Sequence, residues 1–242
     1  MTSIAAKLQR VRERIRQACA AAQRPCDEVT LLAVSKTFGP QALREAHAAG
    51  QSAFGENYLQ EAVAKRAALI DLPLQWHCIG PIQGNKTRLV AEHFDWAHTI
   101  DRLRIAQRLS EQRPRGLPPL NVCIQLNVEH SPTKAGVSPD ELEPLAHEVA
   151  RLPGLVLRGV MHIPEPAPDF AAQKAVHLRA RAAFDRLREA GLPVDTLSMG
   201  MSDDLEAAIA AGSTLVRVGT AIFGSRSPGG AGAVQAAPGN PG

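Results

Sequence analysis

Leu31-Leu32-Ala33-Val34-Ser35-Lys36 is a short apolar run that ends on a lysine. Its length and β-branching favour a buried strand over a helix segment. Side chains alternate along a strand, so Leu32, Val34 and Lys36 share one face. If that face points into a core, Lys36 carries its amine to the strand's end, at the edge of an apolar site. Partial desolvation there favours the neutral, nucleophilic amine, able to attack a carbonyl. The plain alternative is a strand-ending lysine that snorkels into water.

Outward from this run the same unit repeats. Further strands are expected at 52–55, 75–79, 96–100, 120–128, 155–163, 196–199 and 214–218, each followed by a helical pattern. Ser138-Pro139-Asp140-Glu141 reads as a helix start, with proline at the first helical position. Asp101 is placed to cap the helix after strand four. Upstream, Ile4, Leu8, Val11 and Ile15 form one stripe of an extra N-terminal helix. Its basic residues, Lys7 to Arg16, read as a solvated face rather than a nucleic-acid arm. Eight strand–helix alternations with short loops specify an α/β fold, a (β/α)8 TIM barrel. An open doubly wound sheet lacks its mark, since no Gly-x-Gly-x-x-Gly follows a strand. No linker divides the chain, so a single domain is expected over 1–226. The Gly-, Pro- and Ala-rich tail 227–242 is expected to be disordered.

The bulk numbers exclude several classes. The 242 residues are 45% hydrophobic with a net charge of +3, ordinary for a globular protein. No 18-residue apolar stretch offers a membrane span, and the N-terminus lacks a signal pattern. Cys19, Cys26, Cys78 and Cys123 form no Cys-x-x-Cys pair and read as reduced cytoplasmic thiols. No basic stripe with interleaved aromatics supports nucleic-acid binding. No Gly-x-Ser-x-Gly elbow is present.

In a barrel, chemistry sits at the C-terminal ends of the strands. That selects Lys36, Glu56, Asn57, His77, Asn127, His162, Ser198 to Ser202 and Arg217 to Thr220. Loops after strands seven and eight are the habitual phosphate site. Met199-Gly200-Met201-Ser202 and Val218-Gly219-Thr220 each supply a glycine for close approach and a hydroxyl, with a helix N-terminus beyond. Asp203 and Asp204 would repel a dianion unless they turn outward as helix caps. Arg217 either points into the barrel beside these loops or pairs outward with a helix carboxylate. An imine-forming lysine and a phosphate cradle on one rim fit pyridoxal phosphate, or a Schiff-base aldolase acting on a sugar phosphate. His77 and His162 read as core or rim histidines, not metal ligands. A Glu56–Glu129 glycosidase pair finds few aromatics to stack a sugar.

Six motifs in order resemble the pyridoxal phosphate homeostasis proteins. They are the run 31–36, Phe54-Gly55-Glu56-Asn57-Tyr58, Trp76-His77-Cys78-Ile79-Gly80, Gln83-Gly84-Asn85-Lys86, Leu197-Ser198-Met199-Gly200-Met201-Ser202-Asp203 and Val216-Arg217-Val218-Gly219-Thr220. The resemblance runs from about Ile4 to Arg226. Gly84 departs from the pattern, where serine is common, and it lies outside the cofactor motifs. The resemblance implies the alanine racemase N-terminal barrel without a second domain. It implies pyridoxal 5'-phosphate held as an aldimine on Lys36. Ser202, Gly219 and Thr220 would hold the phosphate, Asn57 would line the pocket, and Arg217 would face the pyridine nitrogen. The implied function is a carrier or buffer of the cofactor that serves vitamin B6 and amino-acid homeostasis. It would be a cytoplasmic monomer, with apo-enzymes that use pyridoxal phosphate as partners. The alternative is a lone-barrel amino-acid racemase. Racemases of this type draw a second base, a tyrosine, from their other domain. Here the only tyrosine is Tyr58.

Overall fold

The computed structural model describes residues 2–129 and 135–224. The tail 227–242 and the loop Ser131-Pro132-Thr133-Lys134 lie outside the described residues. Eight parallel strands close into a barrel in chain order: β1 (Thr30–Val34), β2 (Ala53–Glu56), β3 (Gln75–Cys78), β4 (Trp96–Ile100), β5 (Leu120–Leu126), β6 (Leu155–His162), β7 (Thr196–Ser198) and β8 (Leu215–Val218). Helices α2 (Pro40–Ala48), α3 (Leu59–Ala68), α4 (Thr87–His93), α5 (Leu103–Gln112), α6 (Pro139–Ala150), α7 (Phe170–Glu189) and α8 (Leu205–Ala210) cross between successive strands, and a last turn, α9 (Thr220–Phe223), follows β8. This is the TIM barrel that the alternation specifies.

The extra helix α1 (Ile4–Ala21) packs by the expected stripe. Leu8, Val11 and Ile15 are buried, Ile4 partly so. Three such side chains contribute about 1.5–3 kcal/mol each as upper values. Its basic face is not simply solvated. Arg12 donates to the carbonyls of Ala49 and Gly50, and Arg14 donates to the Ser202 carbonyl at the barrel mouth.

Both faces of the strands are buried. Outward residues such as Ala33, Phe54 and Trp76 join the layer beneath the helices. Inward ones fill the lumen: Leu32, Ala53 and Leu215 on one side, Trp96, Cys123 and Met161 on the other. Between them stand polar groups, His77, His98, Ser198 and Arg217. The register of β5 and β6 slips by one residue at Arg158, a bulge that sends Arg158 to Asn121, Asp195 and the face of Trp96. Gly159, next to it, has φ 148° and passes so close to Thr196 that a Cβ would meet its carbonyl oxygen at 2.0 Å.

The strands stop one or two residues short of several expected ends. β1 ends at Val34 because Thr37 takes a left-handed φ of 71° and the Phe38 amide turns back to the Ser35 carbonyl. The helix expected at Ser138 starts there with proline at its first position, and Ser138 and Glu141 also form a capping box. Asp101 does not cap α5, because its carboxylate is taken by Arg102. The helix expected from Asn85 begins as a 3-10 turn, Gly84–Lys86. The helix expected from Ser202 or Asp203 begins at Leu205, because Met201 to Asp204 close a turn first.

Candidate cofactor site

Lys36 stands just past the end of β1, half-buried at the C-terminal mouth of the barrel. Its turn is pinned from beneath. Ser35 Oγ donates to Glu56 Oε1 at 2.6 Å, and Lys65 Nζ donates to Glu56 Oε1 and the Ser35 carbonyl, both at 2.8 Å. Glu61, paired with Lys65 at 2.5 Å, accepts the Thr37 amide. That bond holds the β-branched Thr37 in a backbone region it otherwise avoids. Burial pushes the Glu56 carboxyl up, against the pull of Lys65 and Ser35. Glu56 therefore works on the outer face of β2, toward α3. Its carboxylate is held by Ser35 and Lys65, whereas Glu129, beyond the end of β5, accepts from the Glu165 amide, so the two carboxylates serve different elements. Asn57, the next residue, keeps a buried Oδ1 with no partner among the described residues.

Register brings the two hydroxyl loops beside this lysine. Leu32 and Ala33 pair with Arg217 and Val218, and a Cβ on Gly219 would sit 3.0 Å from the Val34 carbonyl. The β8 loop thus abuts the strand that carries Lys36. Among the described residues, the amides of Ser202, Asp203, Thr220 and Ala221 meet no acceptor. With the two hydroxyls they are donors suited to an anion.

The acidic residues in this loop behave otherwise than expected. Asp203 is exposed. Asp204 does not turn outward as a cap. It is buried, accepting the Met201 amide at 2.6 Å and His177 Nε2 at 2.9 Å. Its charge goes into closing the loop that presents Ser202. Arg14 adds a second hold on the same loop, donating to the Ser202 carbonyl and pairing with Glu206. Burial works against the Asp204 carboxylate, but His177, the Met201 amide and Arg217 outweigh it and hold the carboxyl below its usual range. A carboxyl depressed in the fold adds stability above its unfolded pKa of about 3.9 and loses it as pH falls through the lower folded value. Asp204→Asn should therefore cost stability at pH 7, measured by urea unfolding, and the difference from wild type should shrink as pH falls below about 4 and vanish only below the lower folded value. A difference that persists undiminished in acid would contradict this role.

Arg217 points inward. Its Nη1 donates to the Ser198 carbonyl and Oγ at 2.7 and 2.9 Å, and its Nη2 to the His162 carbonyl at 2.9 Å. Burial lowers its guanidinium to about 10, so it stays charged at neutral pH. Three of its five donors are used, leaving others for a ligand above. His77 and His162 are core histidines, as read. His162 bonds the Leu126 carbonyl, and its buried position lowers it to about 4. Among the described residues no group of side chains is arranged to hold a metal ion.

Sequence reasoning placed Lys36, Asn57, Ser202, Arg217, Gly219 and Thr220 at one end of the barrel, and the structure brings them to one mouth. It missed Arg14, Lys65, His98 and His177. Only Lys65 left a local signal, its spacing of four from Glu61 on a helix.

A family model described as the N-terminal domain of alanine racemase matches residues 6–227. The pyridoxal phosphate homeostasis protein of Pseudomonas aeruginosa is 59% identical over 229 residues, covering 95% of this chain and 98% of that one. The protein of that name from Escherichia coli K12 is 55% identical, covering 93% and 98%. The chain belongs to the pyridoxal phosphate homeostasis protein family. Among solved structures, PipY of Synechococcus elongatus with PLP bound is 39% identical, with a TM-score of 0.80, covering 92% of this chain and 100% of that one. An alanine racemase of Clostridium difficile, 14% identical with a TM-score of 0.68, shares the fold over 89% of this chain and 56% of its own. That likeness shows a shared barrel fold. Among the described residues no helix is long and apolar enough to cross a membrane.

Proposed function

We propose that this chain binds pyridoxal 5'-phosphate at the barrel mouth and carries or buffers it, with Lys36 Nζ joined to its aldehyde carbon as a Schiff base. The observation that carries the proposal is the convergence of Lys36 with two donor-rich loops on the neighbouring strands β7 and β8. The residues fit the group. The free amides and the hydroxyls of Ser202 and Thr220 suit its phosphate, with Gly219 allowing close approach. The orphaned Asn57 Oδ1 lines the wall. The spare N–H groups of Arg217 suit the pyridine nitrogen. The relatives named for pyridoxal phosphate homeostasis and the PLP-bound PipY support the same reading. The four unpaired cysteines support a reducing compartment such as the cytoplasm.

Bound, this cofactor supplies an electrophilic carbon and a ring able to withdraw electrons. The residues beneath it oppose strong use of that ring. A permanent cation at the pyridine nitrogen disfavours a proton there and so weakens the sink. Tyr58, the one tyrosine, is 52% exposed at the start of α3 rather than buried at the mouth as a second base would be. These two features support carriage of the cofactor rather than racemisation. The loaded protein should restore activity to an apo-enzyme that needs pyridoxal phosphate, and should show no racemase, decarboxylase or transaminase turnover on common amino acids. Fast exchange of the alanine α-proton in deuterated buffer, abolished by Lys36→Ala, would overturn the carrier reading in favour of the racemase.

A further inference from the structure

The lumen beneath the mouth holds a polar chain that the proposed function does not use. It rises from Gln75, exposed at the start of β3, to Arg217. Gln75 Oε1 lies 2.9 Å from His77 Nε2. His77 Nδ1 lies 2.9 Å from His98 Nε2, and His98 Nδ1 lies 3.0 Å from Ser198 Oγ. Ser198 Oγ is in turn 2.9 Å from Arg217 Nη1. Four strands, β3, β4, β7 and β8, contribute one link or more.

The Gln75 end, where the amide Oε1 only accepts, fixes the direction of every bond between neutral rings, and the Arg217 end is compatible with it. A guanidinium only donates, so Ser198 Oγ accepts from Arg217. The serine's own hydrogen is then free for His98 Nδ1. A neutral imidazole that accepts at Nδ1 carries its hydrogen on Nε2, so His98 donates to His77 Nδ1. His77 repeats the pattern and donates from Nε2 to Gln75 Oε1, an acceptor. Each group thus finds the partner its chemistry requires, and neither imidazole needs a second proton. Their setting agrees. Both rings are fully buried, and His77 stacks on Trp96 at 5.2 Å and 7°. Burial lowers His77 to about 3, and burial with the neighbouring His77 and Arg217 lowers His98 well below its ordinary value.

We infer that Ser198, His98 and His77 are positioning residues for Arg217: a one-way hydrogen-bond chain that orients the guanidinium and so makes the site prefer a ligand ring with an unprotonated, accepting nitrogen. The preference rests on the cofactor reading above, whereas the direction of the chain does not. A lumen filled merely to exclude space would hold two imidazoles of comparable volume without a fixed tautomer. Here both are fixed, and the last link faces the ligand side.

The test uses the full-length protein with nitrogen-15 in its histidines. The ring-nitrogen shifts of His77 and His98 should show neutral Nε2–H tautomers from about pH 5.5 to 8, a range in which an ordinary histidine titrates. An Nδ1–H tautomer, or protonation of either ring in that range, would overturn the chain. The second arm compares pyridoxal phosphate with its 1-deaza analogue, which has CH in place of the ring nitrogen. Ser198→Ala should weaken pyridoxal phosphate about tenfold and leave the analogue's affinity unchanged, as loss of one hydrogen-bonded support predicts. Ser198→Thr, which keeps the hydroxyl, should restore discrimination. Equal weakening of both ligands would show a structural role only and overturn the positioning claim. Failure of the wild-type protein to bind pyridoxal phosphate would reject the cofactor reading, and with it the ring preference. The histidine spectra would still decide the chain itself.

Discussion

Replacing Ser202 and Thr220 together with alanine should weaken pyridoxal phosphate binding about a hundredfold or more while the fold stays intact. A hydrogen bond to a charged group contributes about 1.5–3 kcal/mol, and two are removed. The fold should tolerate the change because neither hydroxyl supports the loops. The β7 loop is closed by Asp204 and held by Arg14 through the Ser202 carbonyl, which alanine keeps. Thr220 is exposed at the start of α9. Affinity for pyridoxal, which lacks the phosphate, serves as the control and should be unaffected. Unchanged affinity for pyridoxal phosphate in the double variant would place the phosphate elsewhere.

Lys65→Met should destabilise the protein by about 3–5 kcal/mol, because it leaves the Glu56 carboxylate buried without its cation. Lys65 is 4% exposed and Glu56 fully buried, so water cannot replace the lost partner. Adding Glu56→Gln should recover much of the loss, since an amide buries more cheaply than a charge. The same variant should slow and weaken Schiff-base formation at Lys36. Lys65 holds the Ser35 carbonyl and Glu61, and Glu61 holds the left-handed Thr37. Without that bracket the turn carrying Lys36 loses its fixed geometry. Urea unfolding and the rate of cofactor uptake measure the two effects. A stability loss under about 1 kcal/mol would show that the buried pair is not a structural support.

The barrel was legible because short, mostly apolar strand segments alternate with helical patterns along the chain. The site was legible for a related reason. A barrel collects its strand ends at one mouth, so Lys36, Asn57, Ser202 and Thr220 could be placed together from position alone. Arg217 resisted, because in a barrel both faces of β8 are enclosed and alternation cannot say which one holds a cation. The hold of Arg14 on the β7 loop and the polar chain in the lumen resisted for another reason. Arg14 meets Ser202 across 188 positions and Ser198 meets His98 across 100. Such contacts follow from closure of the sheet and the docking of α1, and no local spacing encodes them. Asp204 shows how this misleads. Read locally it is a charge beside a phosphate site, whereas in the fold His177 and the Met201 amide absorb that charge.

Borohydride reduction of the loaded protein, followed by peptide mapping, tests the central claim most directly. The protein should absorb near ~420 nm before reduction, as a lysine Schiff base of the cofactor does, and lose that band on reduction. The reduced pyridoxyl group should be found on Lys36, and Lys36→Ala should take up no stable label. A protein that stays colourless with added pyridoxal phosphate, or a label found on another lysine, would contradict the account.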